Sequence, residues 1–136
     1  MKEQFVSKMT DGKPSIRLDV SEHIILIRPQ GALTADNLLR VLEHCYELPE
    51  FRERRDLWDV RGLETNLDYE SMRKVTGFTR GSRGKDWRQD RSAIVVDGDL
   101  QLGFARMYEM LTDDLNFRLG IFRSMEEAVA WLLEGR

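Results

Sequence analysis

Four aspartates, Asp59, Asp68, Asp97 and Asp99, sit at or just beyond the ends of apolar runs, where carboxylates can ligate a divalent cation or serve as an acid–base pair. The first two belong to DLWDVRGLETNLDYE, residues 56–70, which begins as a strand-like run and ends in a carboxylate cluster. Three readings fit it: a phosphorylation switch, a metal or acid–base site, or a strand running into a capped helix. A phosphoacceptor Mg²⁺ site would also need an acidic pair after the first strand and a lysine after the last. The chain has Val20-Ser21-Glu22 and Phe122-Arg123 at those places. Asp68 and Asp99 both precede apolar-periodic segments, so N-capping accounts for them, with the exposed amides and the helix dipole favouring the charge.

Nucleophilic chemistry has less to draw on. His44 and Cys45 are neighbours on a helical pattern and project about 100° apart, so they cannot act as base and thiol. His23 has no companion at metal-ligand spacing, and two histidines with one cysteine make no zinc motif. No nucleophile-elbow, phosphate-loop or dinucleotide-binding glycine pattern occurs. The expectation is a protein that is not an enzyme and needs no cofactor or metal.

The segment RGSRGKDWRQDR is the most distinctive candidate surface. Arg80, Arg83, Lys85, Arg88 and Arg91 surround Trp87, and Asp86 and Asp90 only partly cancel them. Tryptophan among arginines is the composition of a binding hot spot or an anion-reading flap. A tryptophan folded back onto the core is the structural alternative.

The elements that must position these residues are legible from periodicity. SIRLDV alternates strictly and HIILIRPQG follows after two residues, giving an antiparallel hairpin. Thr34 caps a helix carrying Leu38, Leu42 and Cys45 inward, and Pro49 stops it. DLWDV reads as a short buried strand. A helix starting near Asp68 turns Met72, Val75 and Phe78 inward. SAIVV is apolar on both faces, as in a central strand covered by helices on each side. After Asp97-Gly98-Asp99 comes a helix with Leu100, Phe104, Met107, Tyr108 and Leu111 on one stripe, from which Met110 departs. FRLGIF is the last strand. In SMEEAVAWLLE, Ser124 and Glu127 form a capping box; Met125, Ala128, Val129 and Leu132 face inward, and Trp131 points partly away. The order ββαβαβαβα implies one α/β domain over residues 1–136, its core at about 15–135, with a mostly parallel sheet of about five strands and an antiparallel edge.

Composition sets the class. With 136 residues, 33% charged, 41% apolar and a net charge of −3, the chain is expected to be globular, with no bulk attraction to nucleic acid. Its longest apolar run is far below the roughly 20 residues of a membrane span, its first residues lack a secretion signal, and its one cysteine cannot pair internally. Those features predict a cytoplasmic protein.

LWDVRGL, SAIVVDGD and FRLGIFRSMEEAVAWLLE resemble segments of the SpoIIAA-like family, in the element order of STAS-type anti-sigma-factor antagonists, a fold also similar to lipid-binding CRAL-TRIO domains. The resemblance covers about residues 15–135 and implies a non-enzymatic regulatory or interaction module. Those antagonists carry an Asp-Ser pair at a helix start, where the serine is phosphorylated. Here the region reads NLDYES: Tyr69 and Glu70 follow Asp68, and Ser71 is displaced by at least one residue, about 100° around a helix. The leading expectation is therefore docking of a protein partner without serine phosphorylation, through Asp68, Tyr69, Arg80, Arg83, Lys85, Trp87 and Arg88. The rival is a small apolar or lipid-like anionic ligand held between sheet and helices, its head read by the basic loop. A hydrolase using the strand-end aspartates is the remote third. Self-association into a homodimer stays open.

Overall fold

The computed structural model describes residues 3–8, 16–84 and 87–136. Six strands form one sheet in sequential order: β1 (Val6–Lys8), β2 (Ile16–Val20), β3 (Ile24–Pro29), β4 (Arg55–Asp59), β5 (Arg91–Val95) and β6 (Arg118–Phe122). The first three pair antiparallel and the last four run parallel. Helices α1 (Ala35–Tyr46), α2 (Pro49–Arg52), α3 (Tyr69–Ser82), α4 (Asp99–Leu111) and α5 (Met125–Leu132) complete the chain. The mixed, mostly parallel α/β architecture is as expected; β1 and α2 are additions to it.

Alternation along the strands divides the core in two. Ile25, Ile27, Trp58, Val60 and Ile94 face α1, α3 and α4, and with Leu38, Leu42, Met72, Val75 and Phe104 they build the larger layer. Leu26, Leu57, Ala93 and Val95 point the other way onto Ala128 and Leu132 of α5. Covered on both faces, β4 is buried throughout although three of its five residues, Arg55, Asp56 and Asp59, are charged. Such charges must find partners inside the protein.

The caps explain the helix starts, with three refinements to the sequence reading. Thr34, Asp68 and Ser124 accept the N–H groups of Asn37, Ser71 and Glu127 as expected. Asp99 is not a cap: Gly98 holds that position, and Asp99 is the first helical residue, where its charge still meets the helix dipole. Leu100 stands 74% exposed instead of joining the inward stripe. Pro49 opens the short helix α2 after α1 has ended at Tyr46, since a proline at the first helical position gives up no hydrogen bond.

Candidate functional site

The strand-end carboxylates are held by the fold, each by different means. Asp59 takes hydrogen bonds from Arg61 Nε at 2.9 Å and Arg28 Nε at 3.2 Å. Burial opposes its ionisation, but the hydrogen bonds from Arg61 and Arg28 outweigh that and keep its carboxyl below the usual range. Asp97 accepts the Gly62 N–H at 3.0 Å, tying the turn after β4 to the end of β5. Asp68 Oδ1 accepts the Ser71 N–H at 2.8 Å, and hydrogen bonding from Ser71 lowers its pKa. Asp99 is exposed, with Arg123 4.0 Å away. Among the described residues, no three His, Cys, Asp or Glu side chains come together in a way that would hold a metal ion. Cys45 is fully buried, which pushes its thiol pKa far up and away from nucleophilic use.

α3 separates the residues expected to form one face. Asp68 and Tyr69 lie at its start and Arg83 and Arg88 beyond its end, about 20 Å apart at the helical rise per residue. Tyr69 is 49% exposed. Arg80 is bound to the Asp114 carboxylate at 2.7 and 2.9 Å and to the Leu111 carbonyl, which fastens α3 to the end of α4. Arg88 is exposed, and Lys85 lies outside the described residues.

Trp87 corrects the picture of an exposed anchor. It is 8% exposed and stacks on Tyr46, ring centroids 4.9 Å apart and planes 19° apart, with Phe51 at 6.2 Å. Arg52 and Arg83 cover it at 5.1 and 5.6 Å. An amphipathic ring with apolar neighbours gains more from this burial than from water. Arg83 is likewise turned inward. It donates to the Gln89 side chain at 3.0 Å and to the Gln89 carbonyl, and it lies 4.4 Å over the Phe117 ring. Gln89 in turn donates to the Phe51 carbonyl at 2.9 Å, so residues 87–90 form a strap packed across the helical layer. Arg91 belongs to β5 and holds the Trp131 carbonyl at 2.7 Å.

Beneath the strap, between sheet and helices, lies a chamber of about 40 Å³. Tyr46, Phe51, Trp58, Phe104, Tyr108 and Phe117 supply much of its wall, and Asp56, Arg83, Gln89 and Ser92 its polar lining. Asp56 Oδ2 accepts from Trp58 Nε1 at 2.6 Å and Ser92 Oγ at 2.9 Å. Burial nevertheless raises its pKa to about 6.

No protein-family model matches the sequence, and no curated protein sequence matches it. A solved structure does: an uncharacterized protein of the DUF3478 family from Shewanella loihica PV-4, with a SpoIIAA-like fold, superposes with a TM-score of 0.52 over 96% of this chain and 93% of that one, at 16% identity. The chain has a SpoIIAA-like fold. At that identity the likeness concerns the backbone, and the side chains described above are this chain's own. Within the SpoIIAA-like fold, the starts of α3 and α4 share the sheet edge where β4 and β5 end. Among the described residues, no helix is long and apolar enough to cross a membrane.

Proposed function

We propose that the chain is a non-catalytic, STAS-type interaction module that docks a protein partner at the rim formed by the starts of α3 and α4. The observation that carries this reading is the pairing of two exposed apolar side chains, Tyr69 and Leu100, at the same sheet edge, each in the first turn of its helix. Large apolar side chains on a rigid rim favour a partner over water. Glu64, Asp68, Glu70, Asp97 and Asp99 are also exposed there, against Arg61 and Arg123, so the partner's complementary surface is an apolar patch bordered by lysine or arginine.

The mechanism is equilibrium docking. Asp68 fixes the helix start by capping it, and Asp97 fixes the adjoining turn through Gly62, so the rim is ordered before binding and little conformational entropy is lost. Ser71 gives its backbone amide to the Asp68 cap, and the docking proposed here uses no phosphoryl transfer.

The test is affinity capture with Tyr69→Ala and Leu100→Ser beside the unaltered protein. A specific protein should be retained by the unaltered chain and lost from the double variant, with Tm unchanged. Retention by both would move the docking face elsewhere.

A further inference from the structure

Two buried polar atoms on the wall of the chamber have no hydrogen-bond partner among the described residues: Asp56 Oδ1 and Arg83 Nε. Everything else on these two groups is satisfied or stacked. Trp58 and Ser92 take Asp56 Oδ2, while Gln89 takes both terminal nitrogens of Arg83. Buried polar groups left unmatched are costly, and native interiors rarely keep an acceptor and a donor so without a third molecule between them. Asp56 is 4% exposed, and it is locked on a central strand by two bonds to its other oxygen.

We propose that the chamber is a binding site for the neutral amide or hydroxyl head of a small molecule, which donates to Asp56 Oδ1 and accepts from Arg83 Nε. Three properties define the class. The acceptor and the donor belong to residues lining one small chamber, so a ligand that meets both carries a donor and an acceptor, as a primary amide does. One carboxylate and one guanidinium face the same space, so a ligand carrying net charge would leave one of them opposed by a like charge. The volume of about 40 Å³ admits roughly three or four non-hydrogen atoms, given that each water-sized unit needs about 10–15 Å³. The aromatic wall then receives whatever short apolar stem the head carries.

Alternatives of other charge fit less well. A carboxylate would meet Asp56, and an ammonium would meet Arg83 as well as the aromatic faces. Raised by burial, the Asp56 pKa makes its charge depend on pH near 6, and at pH 8 it stands ionised as an acceptor only.

The experiment uses the full chain at pH 8, labelled with ¹⁵N, and follows the indole N–H of Trp58, which hydrogen-bonds the same carboxylate. Acetamide and propanol are titrated as neutral probes, with acetate and ethylammonium as charged counterparts of similar size. The expected result is a saturable shift of the Trp58 resonance by the neutral probes in the millimolar range, weakened at least about tenfold in Asp56→Asn. That variant keeps an oxygen for Trp58 and Ser92 but turns an N–H₂ toward the chamber. A Trp58 resonance that no neutral probe saturates, or equal responses to acetamide and acetate, overturns the proposal. So does a crystal soaked in acetamide that shows only water between Asp56 and Arg83. Should Asp56→Asn fail to fold, the wild-type comparison of neutral with charged probes decides alone.

Discussion

Trp87 lies face to face with Tyr46, their ring centroids 4.9 Å apart, although 40 residues of chain, with α2, β4 and α3 among them, lie between the two. The stack closes the open side of the helical layer, and Phe51 and Phe78 pack around the same tyrosine. Removing the indole leaves a cavity among aromatic rings that cannot collapse onto one another. Trp87→Ala should therefore cost about 3–5 kcal/mol, read from urea unfolding, and Trp87→Phe appreciably less. A loss below about 1 kcal/mol would mean that the strap does not contribute to the core.

That arrangement marks the limit of what residue order conveys. Segments whose structure is local were legible: the Ser124 cap with its inward Ala128 and Leu132, the Asp68 cap, and the two-faced apolar run of β5. The loop around Trp87 was not, because arginine-rich composition describes an exposed patch and a strap pinned by Arg83 and Gln89 equally well; a distant tyrosine decides between them. Asp56 carried a signal that went unused. It lies in phase with Trp58 and Val60, so alternation alone places its carboxylate on the core-facing side of the strand. Gly98 instead of Asp99 as the α4 cap is a shift of one residue, within the scatter of any helix boundary.

Stability should depend on pH through Asp56. Burial pushes its carboxyl pKa up to about 6 in the folded protein, against an ordinary value of 3.8. Between these values the folded chain binds a proton that the unfolded chain has released, so this group's contribution declines as pH rises through the window. The difference of about two units corresponds to about 3 kcal/mol. Asp56→Asn, which cannot ionise, should gain by that amount relative to wild type between pH 3.5 and 7.5 in chemical denaturation. Asp59 and Asp90 act in the opposite sense, since their lowered pKa values mean stability lost as pH falls through the acid range. A wild-type-to-variant difference that stays flat with pH would contradict the burial of an ionised Asp56.

Arg55 clamps the end of α5 to the sheet. Its guanidinium binds the Asp90 carboxylate at 2.9 and 3.1 Å and the carbonyls of Leu132 and Glu134 at 2.8 and 2.6 Å. Hydrogen bonding to Arg55 is the main reason the Asp90 pKa is lowered. Arg55→Met should cost about 1–3 kcal/mol, because the carbonyls at the end of α5 lose their charged donor while Asp90, half exposed, keeps water and Arg136. Amide exchange should then accelerate first at residues 128–134. Arg55→Lys should recover only part of this, because an ammonium cannot span carboxylate and carbonyls as a planar fork does.

The cap at α3 is a smaller effect with a clean control. Asp68→Ala removes the oxygen that takes the Ser71 amide and should lower the melting temperature, whereas Asp68→Ser should restore most of the loss. Equal stability of all three proteins in thermal unfolding would remove the cap from the account.

The claim that the α3 and α4 starts form a docking rim is tested most directly by a photo-crosslinking amino acid at position 69 in the host cell. Position 110, equally exposed but in the last turn of α4, serves as the comparison. The account predicts a discrete protein adduct from position 69 that is absent from position 110. Adducts of equal yield from both positions, or none from position 69, would contradict it.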